Sequence, residues 1–258
     1  MTICQNFGNI SKEYKLPPKK TIGVITNDGI IDICSKFLLT TPIKKPNKDS
    51  KKKDSQSSTN HKLKDKKLDI LEIGTARGDG IASLYFYFPY SNFIGADNNP
   101  FRTRYKSKRI RSIYVDISSK KILQNLTNHL NQKFDLIIDD CSHQLIDQIL
   151  CFSENFKNLK KGGIYIVEDL NFPEIHQMYN PTNEAVNLKT ILKKINIDEE
   201  ILTKFMNKNE IEYIKDNTES IKFYKSKNKD NYLINGLCDY SEIAFIKKKV
   251  HGTKKEPS

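Results

Sequence analysis

Two acidic pairs and a histidine are the residues of this chain best equipped for chemistry. "FDLIIDDCSHQL" (134–145) runs an apolar stretch into Asp139 and Asp140, with His143 three residues further on. "IYIVEDL" (164–170) runs another into Glu168 and Asp169. A short apolar run bounded by polar residues reads as a strand buried in a parallel sheet, so both pairs stand where a dry strand ends. If the two strands are neighbours, four carboxylates meet at one edge and repel strongly in a partly buried site. A hard divalent cation removes that conflict. Mg²⁺ takes oxygen ligands and keeps positions open for water or substrate. Carboxylates with no thiolate or paired imidazole point to Mg²⁺, or Mn²⁺ in its place, rather than zinc. His143 falls in the following loop or helix, close enough to face such an ion, and as a neutral imidazole could take a hydroxyl proton near pH 7. Capping by Asp-Asp ahead of Ser-His and a turn at Glu-Asp are the plainer alternatives. Two coincident acidic pairs are harder to explain that way.

A second constellation surrounds the first glycines. "LEIGTARGDGIASL" (71–84) follows a strand with Gly74, Gly78 and Gly80 and opens a helix, with Glu72 two residues ahead of the first glycine. Glycines here permit a tight turn and the close approach of a ligand beside a helix N-terminus. The spacing is G-x-x-x-G-x-G, not the G-x-G-x-x-G of dinucleotide sites. It suits a nucleoside-type ligand with no pyrophosphate to cradle, such as S-adenosylmethionine. Asp97, at the end of the next strand, could hold both ribose hydroxyls. Asp116, ending the third, stands where an adenine amino group could be read. Each acid alone could be a helix cap.

These residues need a sheet to bring them together, and the chain supplies its elements in order. Strands are expected at 68–74, 92–97, 110–116, 134–139 and 164–169. Helices are expected at 79–88, 118–131 and around 144–160, with a turn at "KKGG" (160–163). Strands alternating with helices over short loops predict an α/β fold: a Rossmann-like, doubly wound, mostly parallel seven-stranded sheet. "SIKFYKS" (220–226) and "SEIAFIKKK" (241–249), with no helix between them, predict an antiparallel C-terminal strand pair closing one edge. Ahead of this domain (68–249) lie an appendage at 1–43, with a possible strand at 21–26 and a helix at 30–39, and a Lys-rich linker at 44–67. A basic tail follows at 250–258.

The 258 residues carry a formal charge of +12. The linker contributes +7 and residues 247–258 contribute +4, which leaves +1 for everything else. Such runs usually stay solvated. A near-neutral body with no obvious basic groove argues against nucleic acid as a partner. Five cysteines without a C-x-x-C pair argue for a reducing, cytoplasmic setting. No apolar run is long enough to span a membrane.

Taken together, "LDILEIGTARGDGIASLYFYFPYSNFIGAD", "FDLIIDDCSH" and "LKKGGIYIVEDL" resemble the class I methyltransferases around the macrocin and mycinamicin O-methyltransferases and the cephalosporin hydroxylase-like proteins. The resemblance covers residues 68–170. Its parts fall on Glu72 and Gly74, Tyr87–Phe88–Pro89, Asp139 to His143, and Gly162–Gly163 with Glu168–Asp169. It implies S-adenosylmethionine as the cofactor, for which Glu72, Gly74, Gly78, Gly80, Asp97, Asp116 and Asp139 are the candidate binding residues. It further implies Mg²⁺ on Asp140, Glu168 and Asp169, with His143 as general base. The implied reaction is O-methylation of a small hydroxylated acceptor, such as a sugar moiety. Cys141 departs from the family's glycine. "LNFPEIHQMYNPTNEAV" (170–186) departs from its sugar-methylating members, so the acceptor does not carry over. His176, in that segment, is a second candidate base. Methylation of RNA or protein, and a non-catalytic protein acting through its basic tails, are the competing readings. Homo-oligomerisation is compatible with all of them.

Overall fold

The computed structural model describes residues 66–225 and 241–251. The expected strand at 21–26, the helix at 30–39, the linker up to residue 65 and the tail from 252 lie outside them. Seven strands form one sheet: β1 (Asp69–Ile73), β2 (Asn92–Asp97), β3 (Ile110–Tyr114), β4 (Phe134–Asp139), β5 (Leu159–Val167), β6 (Thr218–Lys225) and β7 (Glu242–Lys248). Their spatial order is β3-β2-β1-β4-β5-β7-β6, with β1 to β5 parallel. β7 inserts between β5 and β6 and runs antiparallel to both. The expected C-terminal pair is thus present, and it is the later strand that joins the parallel block.

The inner strands are dry on both faces because they carry apolar residues at odd and even positions alike, while the edge strands β3 and β6 keep exposed residues. On one face Leu71, Ile73, Ile137, Tyr165 and Val167 pack against α3 (Leu145–Asn155), α5 (Leu188–Asn196) and α6 (Lys208–Asn217). On the other, Ile70, Phe93, Leu136, Ile138 and Ile166 meet Ile81, Leu84 and Phe88, from or just beyond α1 (Asp79–Tyr87). Helix α2 (Lys120–Leu130) links β3 to β4, and a single turn, α4 (Phe172–Ile175), follows β5.

Two local readings differ from expectation. "KKGG" falls inside β5 instead of ahead of it, as an irregularity: Leu159 pairs with Phe134 and Ile164 with Leu136, so its four residues stand opposite Asp135 alone, with Gly162 at φ 78°. A bulge absorbs the glycines and lets pairing continue. Helices α5 and α6 arise where the pattern is least informative, started by Asn187 and Asn207, whose side chains accept the Thr190 and Glu210 N–H groups. Glu210 returns the bond to the Asn207 N–H, completing a capping box.

The parallel strands end at one level. Gly74 N–H donates to Ala96 O (2.8 Å), Asp140 N–H to Ile73 O (2.9 Å) and Glu168 N–H to Asp139 O (2.9 Å). The ends of β1, β2, β4 and β5 therefore share one carboxyl edge, where open α/β sheets bind ligands. Among the described residues no helix is long and apolar enough to cross a membrane.

Candidate functional site

A cleft of about 790 Å³ opens over that edge. Among the described residues, seven carboxylates line it (Asp79, Asp97, Asp116, Asp140, Asp147, Glu168, Asp169) and no Lys or Arg does. Three non-glycine residues around it hold left-handed backbone: Ala76 (φ 45°), His143 (φ 59°) and Asp169 (φ 48°). Such conformations cost energy and persist only where the surroundings impose them.

At one end of the cleft sits Asp97, which is buried. Its Oδ2 accepts the Ala76 N–H and its Oδ1 the Asn99 N–H, both at 2.8 Å. The carboxylate is therefore fixed in orientation, and its remaining lone pairs can meet a diol. Asp116 lies two residues past the end of β3, and its Oδ1 is engaged by the Ser118 N–H and hydroxyl. Gly74 and Gly80 form the floor between the two ends. A Cβ on Gly74 would overlap the Asp140 carbonyl, and one on Gly80 would overlap Glu72 Oε1. Internal packing thus requires both glycines before any ligand does.

At the other end Asp140, His143 and Asp169 converge. His143 Nε2 lies 3.6 Å from Asp169 Oδ2 and 3.9 Å from Asp140 Oδ1. One ligand atom from each of the three falls within 4.8 Å of the others. Glu168 lines the cleft beside them without joining this grouping. Burial, and then the charge of Asp169, push the Glu168 carboxyl up to about 7. Burial also raises Asp140, helped by the charges of Glu168, Glu72, Asp169 and Asp139. Burial lowers the His143 imidazole, against the pull of Asp169, and so favours its neutral form. The ring sits edge-on to Phe172 (5.1 Å between centroids) and Tyr179 (6.1 Å). Gln144 Nε2 donates to Met178 O and ties the two loops together.

Three residues expected at the cofactor do not reach the cleft wall. Glu72 is buried beneath Gly80, accepts the Ile81 N–H and keeps Oε2 without a partner. Its carboxyl is pushed up to about 8, chiefly by burial and then by Glu168. Gly78, left-handed at the start of α1, turns toward Thr103. Asp139 points to the opposite face from Glu168: it accepts the Tyr165 hydroxyl at 3.0 Å and clusters with Cys141 and Cys151. The reason is the pleat, which sends Asp139 and Asp140 to opposite sides of the sheet. The rings of Phe172 and Tyr179 against His143, and the Ala76 amide, escaped the sequence reading. His176 stands edge-on to Phe172, behind His143, with Nε2 buried and unpartnered.

The donor chemistry fits the implied groups. The carboxylates among the described residues of the cleft favour a positively charged methyl donor over a pyrophosphate, and hard oxygen ligands favour Mg²⁺ or Mn²⁺. A family model described as a methyltransferase domain matches residues 64–235. The chain belongs to this methyltransferase family. Family and fold together give a class I S-adenosylmethionine-dependent methyltransferase domain.

Among solved structures, the MycE methyltransferase of the mycinamycin biosynthetic pathway, in complex with Mg, SAH and mycinamycin VI, matches with a TM-score of 0.52. It is 20% identical over 72% of this chain and 46% of its own, a likeness of fold. The 8-demethyl-8-alpha-L-rhamnosyl tetracenomycin-C 2'-O-methyltransferase of Streptomyces olivaceus is 30% identical over 115 residues, covering 42% of this chain and 30% of that protein. The RecBCD subunit RecC of Buchnera aphidicola is 32% identical over 136 residues, but the match covers only 12% of that protein. The methyltransferase chain thus spans less than half the length of each of these relatives.

Proposed function

We propose that the domain, taken as residues 68–249, transfers the methyl group of S-adenosylmethionine to a hydroxyl of a small acceptor, with a divalent cation, Mg²⁺ or Mn²⁺, at Asp140, Glu168 and Asp169. The observation that carries this reading is the convergence of His143, Asp140 and Asp169 at one end of a cleft whose other end holds the fixed Asp97. The tetracenomycin relative, whose name specifies a 2'-O-methyl transfer on a rhamnosyl compound, supports a glycosidic acceptor. The presence of Mg with MycE supports the cation.

Asp97 grips the ribose diol, with Asp116 further along the cofactor end. Gly74 and Gly80 keep the floor low enough for the donor to lie against the backbone. A bound divalent cation would lower the pKa of an acceptor hydroxyl brought to it. His143, neutral and held edge-on by Phe172 and Tyr179, takes the hydroxyl proton on Nε2. Alignment of the freed oxygen with the methyl then does most of the remaining work. A second reading makes His143 a cation ligand, favoured by its place in the grouping with Asp140 and Asp169.

Calorimetric titration of S-adenosylmethionine into the protein with and without Mg²⁺, and of NADH as control, tests the assignment. Donor binding with separate Mg²⁺ uptake supports it and leads to a screen of glycosides with radiolabelled donor. Failure of the donor to bind in either condition overturns it. His143→Asn retains Mg²⁺ uptake if His143 is the base and loses it if His143 is a ligand.

A further inference from the structure

The near-neutral sum for the body conceals a strong separation of charge. While the cleft is lined by acids, residues 98–115, "NNPFRTRYKSKRIRSIYV", hold six basic residues and no acid. This stretch leaves the cofactor end of the cleft at Asn98, makes a short 3-10 turn at Pro100–Arg102, passes along the flank of α1 and returns as β3, the edge strand of the sheet.

Along it, exposure alternates. Arg102, Arg104, Lys106 and Lys108 are exposed, while the residues between them turn inward. Thr103 is buried, Tyr105 donates its hydroxyl to Asp79 at 3.0 Å, and Ser107 donates to the Tyr85 hydroxyl at 3.3 Å. Arg109 is anchored too: its guanidinium donates to the Phe88 and Ser91 carbonyls and lies 3.8 Å over the Tyr85 ring. The inward residues thus pin the segment to α1 and leave four cations, at every second position of the sequence, on its outer side. Two residues of chain span at most about 7 Å, so consecutive cations stay close enough for long side chains to reach neighbouring phosphates of a single strand. Large aromatic rings flank these cations: Phe101 is 96% exposed at one end, and Tyr114, on the edge strand past Arg111, is 59% exposed. A solvated charged surface gains nothing from such rings. Sites that follow a single-stranded backbone combine basic tracks with aromatic platforms on which bases stack.

We propose that this ribbon, from Phe101 to Tyr114, is a binding surface for single-stranded nucleic acid, with Arg102, Arg104, Lys106 and Lys108 on successive phosphates and Phe101 stacking a base. The surface lies on the flank of the cofactor end, and its occupation requires neither donor, cation nor turnover.

The test is fluorescence anisotropy of a labelled oligouridylate with the full chain, between about 50 and 200 mM salt. In the Arg102→Ser, Arg104→Ser, Lys106→Ser, Lys108→Ser variant, affinity falls at least tenfold and the slope of log K against log salt becomes shallower by about 3, near 0.7 per lost phosphate contact. Phe101→Ala lowers affinity by roughly tenfold with the salt slope unchanged, the mark of lost stacking rather than lost charge. All five side chains are exposed, and an unchanged thermal unfolding profile verifies that the fold is kept. Neutralising Lys44, Lys45, Lys48 and Lys51 leaves most of the affinity in place. The proposal is overturned if the ribbon variant binds like the unaltered chain, if the Lys-rich segment accounts for the affinity, or if ribbon-dependent binding occurs to phosphatidylserine vesicles and not to the oligonucleotide. Equal affinity for oligothymidylate supports recognition of phosphate and base alone; a preference for oligouridylate supports it and identifies the partner as RNA.

Discussion

Neighbouring residues of the cleft carry separable roles, and substitutions can part them. Asp97 is locked by two backbone N–H groups, so Asp97→Asn removes a charged acceptor while the new amide keeps its carbonyl for one of them. Hydrogen bonds to charged groups contribute about 1.5–3 kcal/mol. The expected loss in S-adenosylmethionine affinity is therefore roughly tenfold to a hundredfold, read by calorimetry; unchanged affinity would remove Asp97 from the cofactor site. His143 presents a different problem, because its left-handed backbone would strain alanine. Asparagine tolerates φ near 59° and lacks a base of suitable pKa. His143→Asn should slow methyl transfer by about 10²–10⁴, the usual contribution of a general base, while donor affinity stays within about twofold. Equal loss of donor binding would mean that the imidazole shapes the cleft instead. His176 stands a layer behind, packed on Phe172.

At the scale of elements, the parallel pairing of β1 with β4 fixes the site. Gly74 has φ 92°, and a Cβ there would meet backbone of Asp140 and Cys141. Gly74→Ala combines a left-handed penalty with overpacking, about 3 kcal/mol or more. Thermal unfolding should fall by about 10 °C. A fall of only a degree or two would show that the two strand ends part without cost. The parallel strands were legible because each apolar run stops at an acid or a glycine, and the carboxyl edge followed from that. What could not be read was which way each acid points. Adjacent Asp139 and Asp140 read as one pair, yet the pleat gives the first to Tyr165 and the second to the cleft. Glu72 read as a ligand contact, yet it packs under Gly80. The insertion of β7 between β5 and β6 depends on non-local pairing that no local pattern encodes. The capping box of Asn207 and Glu210 was written in the sequence as Asn-x-x-Glu, but weak periodicity around it hid the helix.

For the whole molecule, concentrating carboxylates at one sheet edge makes stability a function of pH and cation. Glu72 is pushed up to about 8 and Glu168 to about 7 from 4.5, and Asp139 to about 6 from 3.8. Below the ordinary carboxylate range both folded and unfolded chains hold these protons, and the fold has its full stability. As pH rises, the unfolded chain releases them first while the buried groups retain theirs. Each such group then removes up to about 1.4 kcal/mol of stability per pH unit. For Glu72 the loss begins near 4.5 and is complete above about 8. Chelator-treated protein should therefore unfold at a lower temperature near pH 8 than near pH 5. Mg²⁺ competes with the protons for the Asp140, Glu168 and Asp169 carboxylates, so excess Mg²⁺ should raise the unfolding temperature more at the higher pH. Glu72→Gln separates the two effects. It deletes one titrating carboxyl outside the proposed cation ligands, so the fall in stability between pH 5 and 8 should flatten while the response to Mg²⁺ persists. A slope unchanged by the substitution would mean that Glu72 ionises freely in the folded chain and that the buried acid beneath Gly80 carries no part of the pH dependence.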